Sequence, residues 1–218
     1  MTFYMTVKHS EAFRDLFKRQ KYEKYIFTII NRSNKIFRGL QFESIPEQSA
    51  GQSDFIDNHG TKYDAKLLFD KAQGKLVGDP QNTFQQWLEE MQAEKTEFGE
   101  SISRRDLSYV AKTKLYRIMK ERIESLKNDE NGLLFIPFPI VDDFKESVIL
   151  QLATDFLQAT FDRIKEQGVV GKRKVYFIYP SARSHEYVLR NEERFRECII
   201  CPELKDFISY STVVVPRK

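Results

Sequence analysis

The spacing of apolar positions along the chain changes several times, and each change predicts an element. Between 53 and 69 it is two residues: Phe55 in one run, then Tyr63, Ala65, Leu67 and Phe69 in the next, with Asn58-His59-Gly60 between the runs. Two alternating runs around a short Gly-containing loop predict a β-hairpin. With a three-residue loop, Asp57 pairs with Thr61 and the register sets Asp54 directly opposite Asp64. Side chains alternate across a strand, so Asp54, Asp64 and Lys66 then share one face. The apolar row takes the other face and seeks the core.

Elsewhere the spacing is helical or unbroken. Ser10 can cap a helix running to about residue 31, with Ala12, Leu16, Tyr22, Ile26 and Ile30 as its stripe and Glu23 inside that stripe. Residues 35–44 alternate loosely and predict a first strand, and 45–51, with Pro46 and Gly51, a loop. After a Gly- and Pro-bearing stretch at 70–82, helices are predicted at 83–97, around Trp87, Leu88 and Met91, and at 103–127. The longer one has an inward stripe of Leu107, Ala111, Leu115 and Ile118. Its opposite side interleaves cations with aromatics: Arg105, Tyr109, Lys112, Tyr116 and Lys120. The apolar runs 133–140 and 174–179 predict two buried strands, joined by a helix that Asp142 or Asp143 would cap and that reaches about 167. Strand, helix, strand in that order predicts a parallel pair with a right-handed crossover. A charged stretch at 187–197 has helical spacing, and 208–215 is a β-type run.

Composition narrows the class. With 218 residues, 41% hydrophobic and 31% charged, the chain suits one α/β (α+β) domain spanning 1–218. No apolar run approaches the ~20 residues of a membrane span, and MTFYMTVKHS lacks a signal-peptide pattern. A cytoplasmic protein with no membrane partner is therefore expected. The net charge of +3 permits a nucleic-acid partner without demanding one. Cys198 and Cys201 form a single C-x-x-C, half of a zinc site, and His9, His59 and His185 are scattered. A reduced, partly buried pair is the expectation.

The hairpin carries the chemistry. Like charges directly opposed in a ladder are unfavourable, so two facing carboxylates call for a reason, and a divalent cation is the usual one. Asp54 behind Ser53, a nine-residue gap, then Asp64-Ala65-Lys66 resembles the PD-(D/E)XK nuclease superfamily, with Ser53 where that pattern has Pro. The resemblance implies a restriction-endonuclease-like mixed central sheet flanked by helices, with 83–131 as a helical insertion that recognises substrate. It implies a nuclease acting on phosphodiester bonds, DNA before RNA, in restriction or other defence, or in repair. Asp54, Asp64 and the Ala65 carbonyl would hold Mg²⁺, for which Mn²⁺ can substitute, and Lys66 would act on the attacking water. Ser53, Gln52 and one acid among Glu23, Glu43 and Glu47 would complete the surroundings. A Gln-x-x-x-Tyr motif found in one branch is lacking among Gln85, Gln86 and Gln92, so no branch is assigned. The row Arg105, Tyr109, Lys112, Tyr116 and Lys120 fits a nucleic-acid backbone, and it fits an ordinary solvated helix face as well. A homodimer or a place in a larger complex is compatible with this reading. The competing function is a catalytically silent DNA-binding or assembly subunit of the same fold.

Overall fold

The computed structural model describes residues 2–9, 22–46, 52–68, 114–136, 148–180 and 186–215. Their strands are β1 (Thr2–His9), β2 (Phe42–Ser44), β3 (Phe55–Asp57), β4 (Lys62–Leu67), β5 (Glu130–Phe135), β6 (Val175–Pro180), β7 (Glu186–Asn191), β8 (Arg196–Ile200) and β9 (Ile208–Val215). Their helices are α1 (Tyr22–Arg32), α2 (Lys114–Glu124) and α3 (Val148–Glu166), with a 3₁₀ turn at Pro202–Phe207. This is an α+β chain.

Among the described residues β2 to β8 form one seven-stranded sheet in sequence order. It is mixed. β2, β3 and β4 run as an antiparallel meander, β4, β5 and β6 are mutually parallel, and β7 and β8 close the far side antiparallel. The helices α2 and α3 supply the two crossovers that parallel neighbours require. The N-terminal run, for which the apolar pattern predicts no element, is β1, paired antiparallel with β9 from Thr2↔Val215 to His9↔Ile208.

Alternation sorts the side chains of the sheet onto two cores. On one face Phe55, Tyr63, Ala65, Leu133, Phe135, Tyr176, Ile178 and Leu189 pack with Ile26, Ile29 and Ile30 of α1. On the other, Leu134, Ile136, Val175, Phe177, Tyr179 and Val188 pack with Ile118, Met119 and Ile123 of α2 and with Leu157, Phe161 and Ile164 of α3. β5 and β6 are thus apolar on both faces, which is why their sequences read as unbroken runs.

Two predicted elements are corrected. Residues 35–44 are not one strand: 36–39 form a turn, Gly39 has φ 78°, and pairing begins only at Phe42. The cause is distant in sequence. The Glu197 carboxylate accepts the N–H groups of Asn34, Lys35 and Ile36 at 2.8, 3.2 and 3.0 Å, and the Ser33 hydroxyl at 2.6 Å, bending this segment around itself. Residues 187–197 are not helical either but make the β7–β8 hairpin. There the Asn191 side chain accepts the N–H groups of Glu193 and Phe195, so an Asx-type turn reverses the chain.

One further element expectation is met where the structure describes it. β5 and β6 are a parallel pair joined through α3, as the strand–helix–strand order predicts. Ser10, Ala12, Leu16, the helix at 83–97, residues 103–113, Asp142 and Asp143 lie outside the described residues. Of the expected insertion, 114–131 belongs to the core, as α2 and the start of β5. Cys198 and Cys201 are not joined in a disulfide; the first is exposed and the second buried. No helix among the described residues is long and apolar enough to cross a membrane.

Candidate active site at the open end of a hairpin

The β3–β4 hairpin forms in the predicted register. Phe55 pairs with Tyr63 and Ile56 with Lys62, the Asp57 N–H donates to the Thr61 carbonyl at 3.0 Å, and Gly60 has φ 81°. An L side chain rarely adopts that φ, so Gly is the residue that lets the three-residue loop close. The ladder changes at Asp54. Its N–H donates to the Tyr63 carbonyl at 3.0 Å, while its carboxylate reaches across and accepts the Ala65 N–H at 2.6 Å. The side chain thus takes up a main-chain donor of β4, which fixes it beside Asp64.

Asp64 is buried and belongs to the face that carries Lys66. The Lys66 Nζ lies 2.6 Å from Asp64 Oδ2, and the Asp64 carboxyl is close enough to raise the proton affinity of Asp54. The Asp54 carboxyl is pushed well above the ordinary carboxylate range. Burial is the largest cause, the Asp64 carboxyl and the charge of Glu23 add to it, and the Ala65 N–H only partly opposes them. Tyr22, one residue before Glu23 on α1, donates from its hydroxyl to the Ala65 carbonyl at 3.4 Å. That hydroxyl is also pushed up, by burial first and then by Glu23, Asp54 and Asp64. The structure therefore brings Asp54, Asp64, Lys66 and Ala65 together and adds Tyr22, while Glu23 acts on Asp54 and Tyr22 through its charge.

Other candidates lie elsewhere. Glu43 is exposed on β2, paired in register with Ile56, nearer the turn than Asp54. Glu47 and Phe69 lie outside the described residues. Ser53 is buried and its hydroxyl donates to Glu130 Oε1 at 2.6 Å, so this side chain turns to the start of β5. Glu130 also accepts the Lys127 N–H at 3.0 Å. Nothing periodic in the sequence marks Glu130, which closes a polar turn before an apolar run. On α2 the expected cation–aromatic row is corrected at Tyr116. This ring is buried in the α2–α3 core and its hydroxyl donates to Gln167. Lys120 is 3.8 Å from Glu124 on the same helix. Arg105, Tyr109 and Lys112 lie outside the described residues.

Asp54, Asp64 and the Ala65 carbonyl are all hard oxygen donors, the kind a small divalent cation takes. Their chemistry fits one: a carboxyl whose proton affinity is raised by burial and by a second acid beside it would give up its proton to a cation, which satisfies both. Among the described residues there is no group of three or more His, Cys, Asp or Glu gathered as a ready-made metal cage. Mg²⁺ needs less than such a cage, because it commonly keeps several waters and takes one or two carboxylates. Compared with known proteins, the chain matches no family model, no curated protein and no solved structure.

Proposed function

We propose that this chain is a metal-dependent nuclease of the PD-(D/E)XK type, with DNA as its substrate. One observation carries the reading: the Asp54 side chain, held by the Ala65 N–H at 2.6 Å, stands beside the buried Asp64, with the Lys66 ammonium 2.6 Å from Asp64. A buried structural acid is normally given cations or N–H donors, not another acid. The order of elements supports the same reading, since α1, β2, the hairpin, α2, β5, α3 and β6 follow one another as the resemblance implies.

In this reading Asp54, Asp64 and the Ala65 carbonyl hold Mg²⁺ or Mn²⁺, with Glu23 as an outer acid. The ion, when bound, supplies a water of lowered pKa and a counter-charge for the phosphoryl oxygens. Lys66 does the rest of the electrostatic work. Its ammonium, positioned by Asp64, orients the attacking water and offsets negative charge growing on the phosphate. The Ala65 N–H keeps the Asp54 carboxylate aimed at its neighbour. Hydrolysis forms a bond from the water oxygen to phosphorus and breaks the phosphorus–sugar oxygen bond.

A second reading is favoured by the same ion pair: Lys66 already bonded to Asp64 is also what a catalytically silent, DNA-holding subunit would show. Cleavage of duplex and single-stranded DNA in millimolar Mg²⁺ or Mn²⁺, wild type against Asp64→Asn, decides between the two. The nuclease reading expects cutting by the wild type and its loss in the variant. It also expects a Mn²⁺-dependent rise in the melting temperature that Asp64→Asn removes, because ligand that binds only the native state stabilises it. A wild type that binds DNA, shows no Mn²⁺ response and never cuts would establish the silent subunit.

A further inference from the structure

The α3 side of the sheet holds a buried charge that the candidate active site does not use. Arg190 of β7 is only 8% exposed and lies on the face of β7 that carries Val188, toward α3. Its Nη2 donates to the Gln158 side-chain oxygen at 3.0 Å, and its Nε is buried with no hydrogen-bond partner. Gln158 is itself buried, and its amide is oriented by Asp162, whose Oδ1 accepts the Gln158 Nε2 at 2.7 Å. Asp162 Oδ2 in turn lies 3.4 Å from the Arg194 guanidinium, so this acid is already engaged with another arginine. Glu186, the other buried charge on this face of β7, stands four residues back, about 13 Å along the strand. Among the described residues the Arg190 guanidinium is thus bonded to a neutral amide and not to an acid. The register adds charge of the same sign, since Arg190 pairs with Arg196 of β8 and cross-strand partners share a face.

We propose that Arg190 is the centre of a second binding site, between α3 and the β7–β8 hairpin, for a small oxyanion of the phosphate class. A guanidinium keeps its proton at any working pH, so burial cannot neutralise it as it neutralises a carboxyl. A buried charge is stable when an opposite charge and its hydrogen bonds accompany it. Here the protein supplies one neutral acceptor and sets a second arginine opposite, a like-charge pair as unfavourable in a ladder as two facing acids. The unpartnered Nε–H is a fixed donor for an anion's oxygen, and the Gln158 bond holds the plane of the group, so little side-chain freedom is lost on binding. Among the described residues β8 ends the sheet, so Arg190 lies one strand in from an edge, a place a small ion can reach and a duplex cannot. The site is separate from the hairpin acids. In register Lys66, Leu134, Phe177 and Arg190 follow one another across four strands, roughly 14 Å from first to last, with the buried Leu134 and Phe177 between. The proposal therefore stands whether or not the chain is a nuclease. The rival role is a structural tie, in which Arg190 fastens α3 to β7 through Gln158 alone.

The test melts the full chain in rising inorganic phosphate, without divalent metal and with ionic strength held constant by chloride. Adenosine monophosphate is the second probe. Wild type, Arg190→Gln, Arg190→Lys and Lys66→Ala are compared. Phosphate stabilises proteins generally by exclusion from their surfaces, so only a shift that saturates counts. Wild type should show one of about 3–5 °C once phosphate exceeds its dissociation constant tenfold, and Lys66→Ala should show the same. Arg190→Gln should lose it, and without phosphate should melt no lower than wild type, because it removes a buried charge that has no acid beside it. Arg190→Lys, which keeps the charge without the planar fork and so guards against a folding defect in the Gln variant, should respond with weaker affinity. A saturating shift with phosphate alone assigns the free anion, and one with adenosine monophosphate as well assigns the phosphate group of a nucleotide. No saturating shift in the wild type overturns the proposal. So does an Arg190→Gln variant that melts well below wild type yet keeps the shift, the signature of a structural tie, and so does loss of the shift in Lys66→Ala.

Discussion

The two ends of the β3–β4 hairpin each carry an aspartate on the same short run, three residues apart, and the fold treats them in opposite ways. At the turn, Asp57 Oδ1 accepts the N–H groups of His59 and Thr61, each at 2.9 Å, and Oδ2 accepts the Tyr63 hydroxyl at 3.1 Å. Burial alone would raise its proton affinity, but these donors outweigh burial and hold the carboxyl below the ordinary range. At the open end, Asp54 accepts the Ala65 N–H, and the charged groups that raise its proton affinity are the acids Asp64 and Glu23. Burial then prevails and the carboxyl is pushed up. The difference lies in donors. An acid surrounded by N–H and O–H groups is part of the structure, whereas an acid placed against acids has been left a partner to find. Glu197, on the other side of the sheet, is of the first kind. Burial is outweighed there too, by the Ser33 hydroxyl and the N–H groups of Asn34, Ile36 and Lys35, and the carboxyl is held low.

The comparison breaks most visibly at Lys66. If the open end is catalytic, Lys66 acts chiefly as charge grows in the transition state, so its removal should cost turnover far more than substrate affinity. Lys66→Ala should cut on the order of a hundred- to a thousandfold more slowly, the usual loss for one electrostatic stabiliser. Its Mn²⁺-dependent melting shift should persist, because Asp54 and Asp64 remain. Single-turnover cleavage set beside metal-dependent melting reads both quantities. Cutting at the wild-type rate would show that Lys66 only neutralises Asp64.

The turn end should respond in stability and leave chemistry alone. Asp57→Ala deletes an acceptor for two main-chain donors and one hydroxyl, at a cost of about 2–4 kcal/mol by comparison with other buried charged hydrogen bonds. The pH dependence has a definite sign. A carboxyl whose folded pKa is lowered binds fewer protons in the native state than in the unfolded one. Its contribution is therefore complete above the unfolded value, near 4, and drains away as pH falls toward the lower folded value. Urea titrations at stepped pH should show wild type losing stability below about pH 4 more steeply than Asp57→Asn, which has no carboxylate to protonate. Parallel pH curves for the two would show that the carboxylate form of Asp57 gives the turn nothing.

How much of this the sequence shows depends on the range of the interaction. The hairpin is legible because everything that makes it lies within seventeen residues, 53–69: a period-2 row, an Asn-His-Gly loop and a register that follows by counting. The turn at 36–39 is not legible, since the carboxylate that shapes it belongs to Glu197, 163 residues beyond Asn34. Without that acid the alternation in KIFRGLQFES is an ordinary strand signal. The β7–β8 hairpin hides for a local reason, because its charged residues fall at helical spacing while Asn191 makes the turn. On α2 the predicted inward stripe is buried at Ile118, but Tyr116 lies inside the buried surface too, and the Arg122 bond to the Leu67 carbonyl arises only from the packing of the chain. The acids themselves are legible as residues. The burial that raises the proton affinity of Asp54 is a product of the fold.

The smallest effect sharpens the comparison most, because it alters one donor and no carboxylate. Tyr63 lies between the two ends. Its ring packs against Phe37 and Phe42, with centroids 6.0 and 5.1 Å away, and its hydroxyl donates to Asp57 Oδ2. Tyr63→Phe keeps the ring and its packing and removes the hydroxyl alone. Loss of one hydrogen bond to a charged acceptor should cost about 1–2 kcal/mol, or a few degrees of melting temperature for a chain of this length. Asp57 would lose one of the donors that hold its carboxyl low, so its folded pKa should move up toward the unfolded value. The stability lost in acid should then be smaller than in wild type and be lost at a slightly higher pH. Cleavage and the Mn²⁺-dependent melting shift should not change, since Asp54, Asp64 and Lys66 all lie on the opposite face of the hairpin from the Tyr63 ring. Both are measured on the same preparation. If Tyr63→Phe cuts more than about tenfold more slowly at equal folded fraction, a change worth ~1.4 kcal/mol in the barrier, the two ends of the hairpin are one coupled unit and their division into structure and chemistry fails.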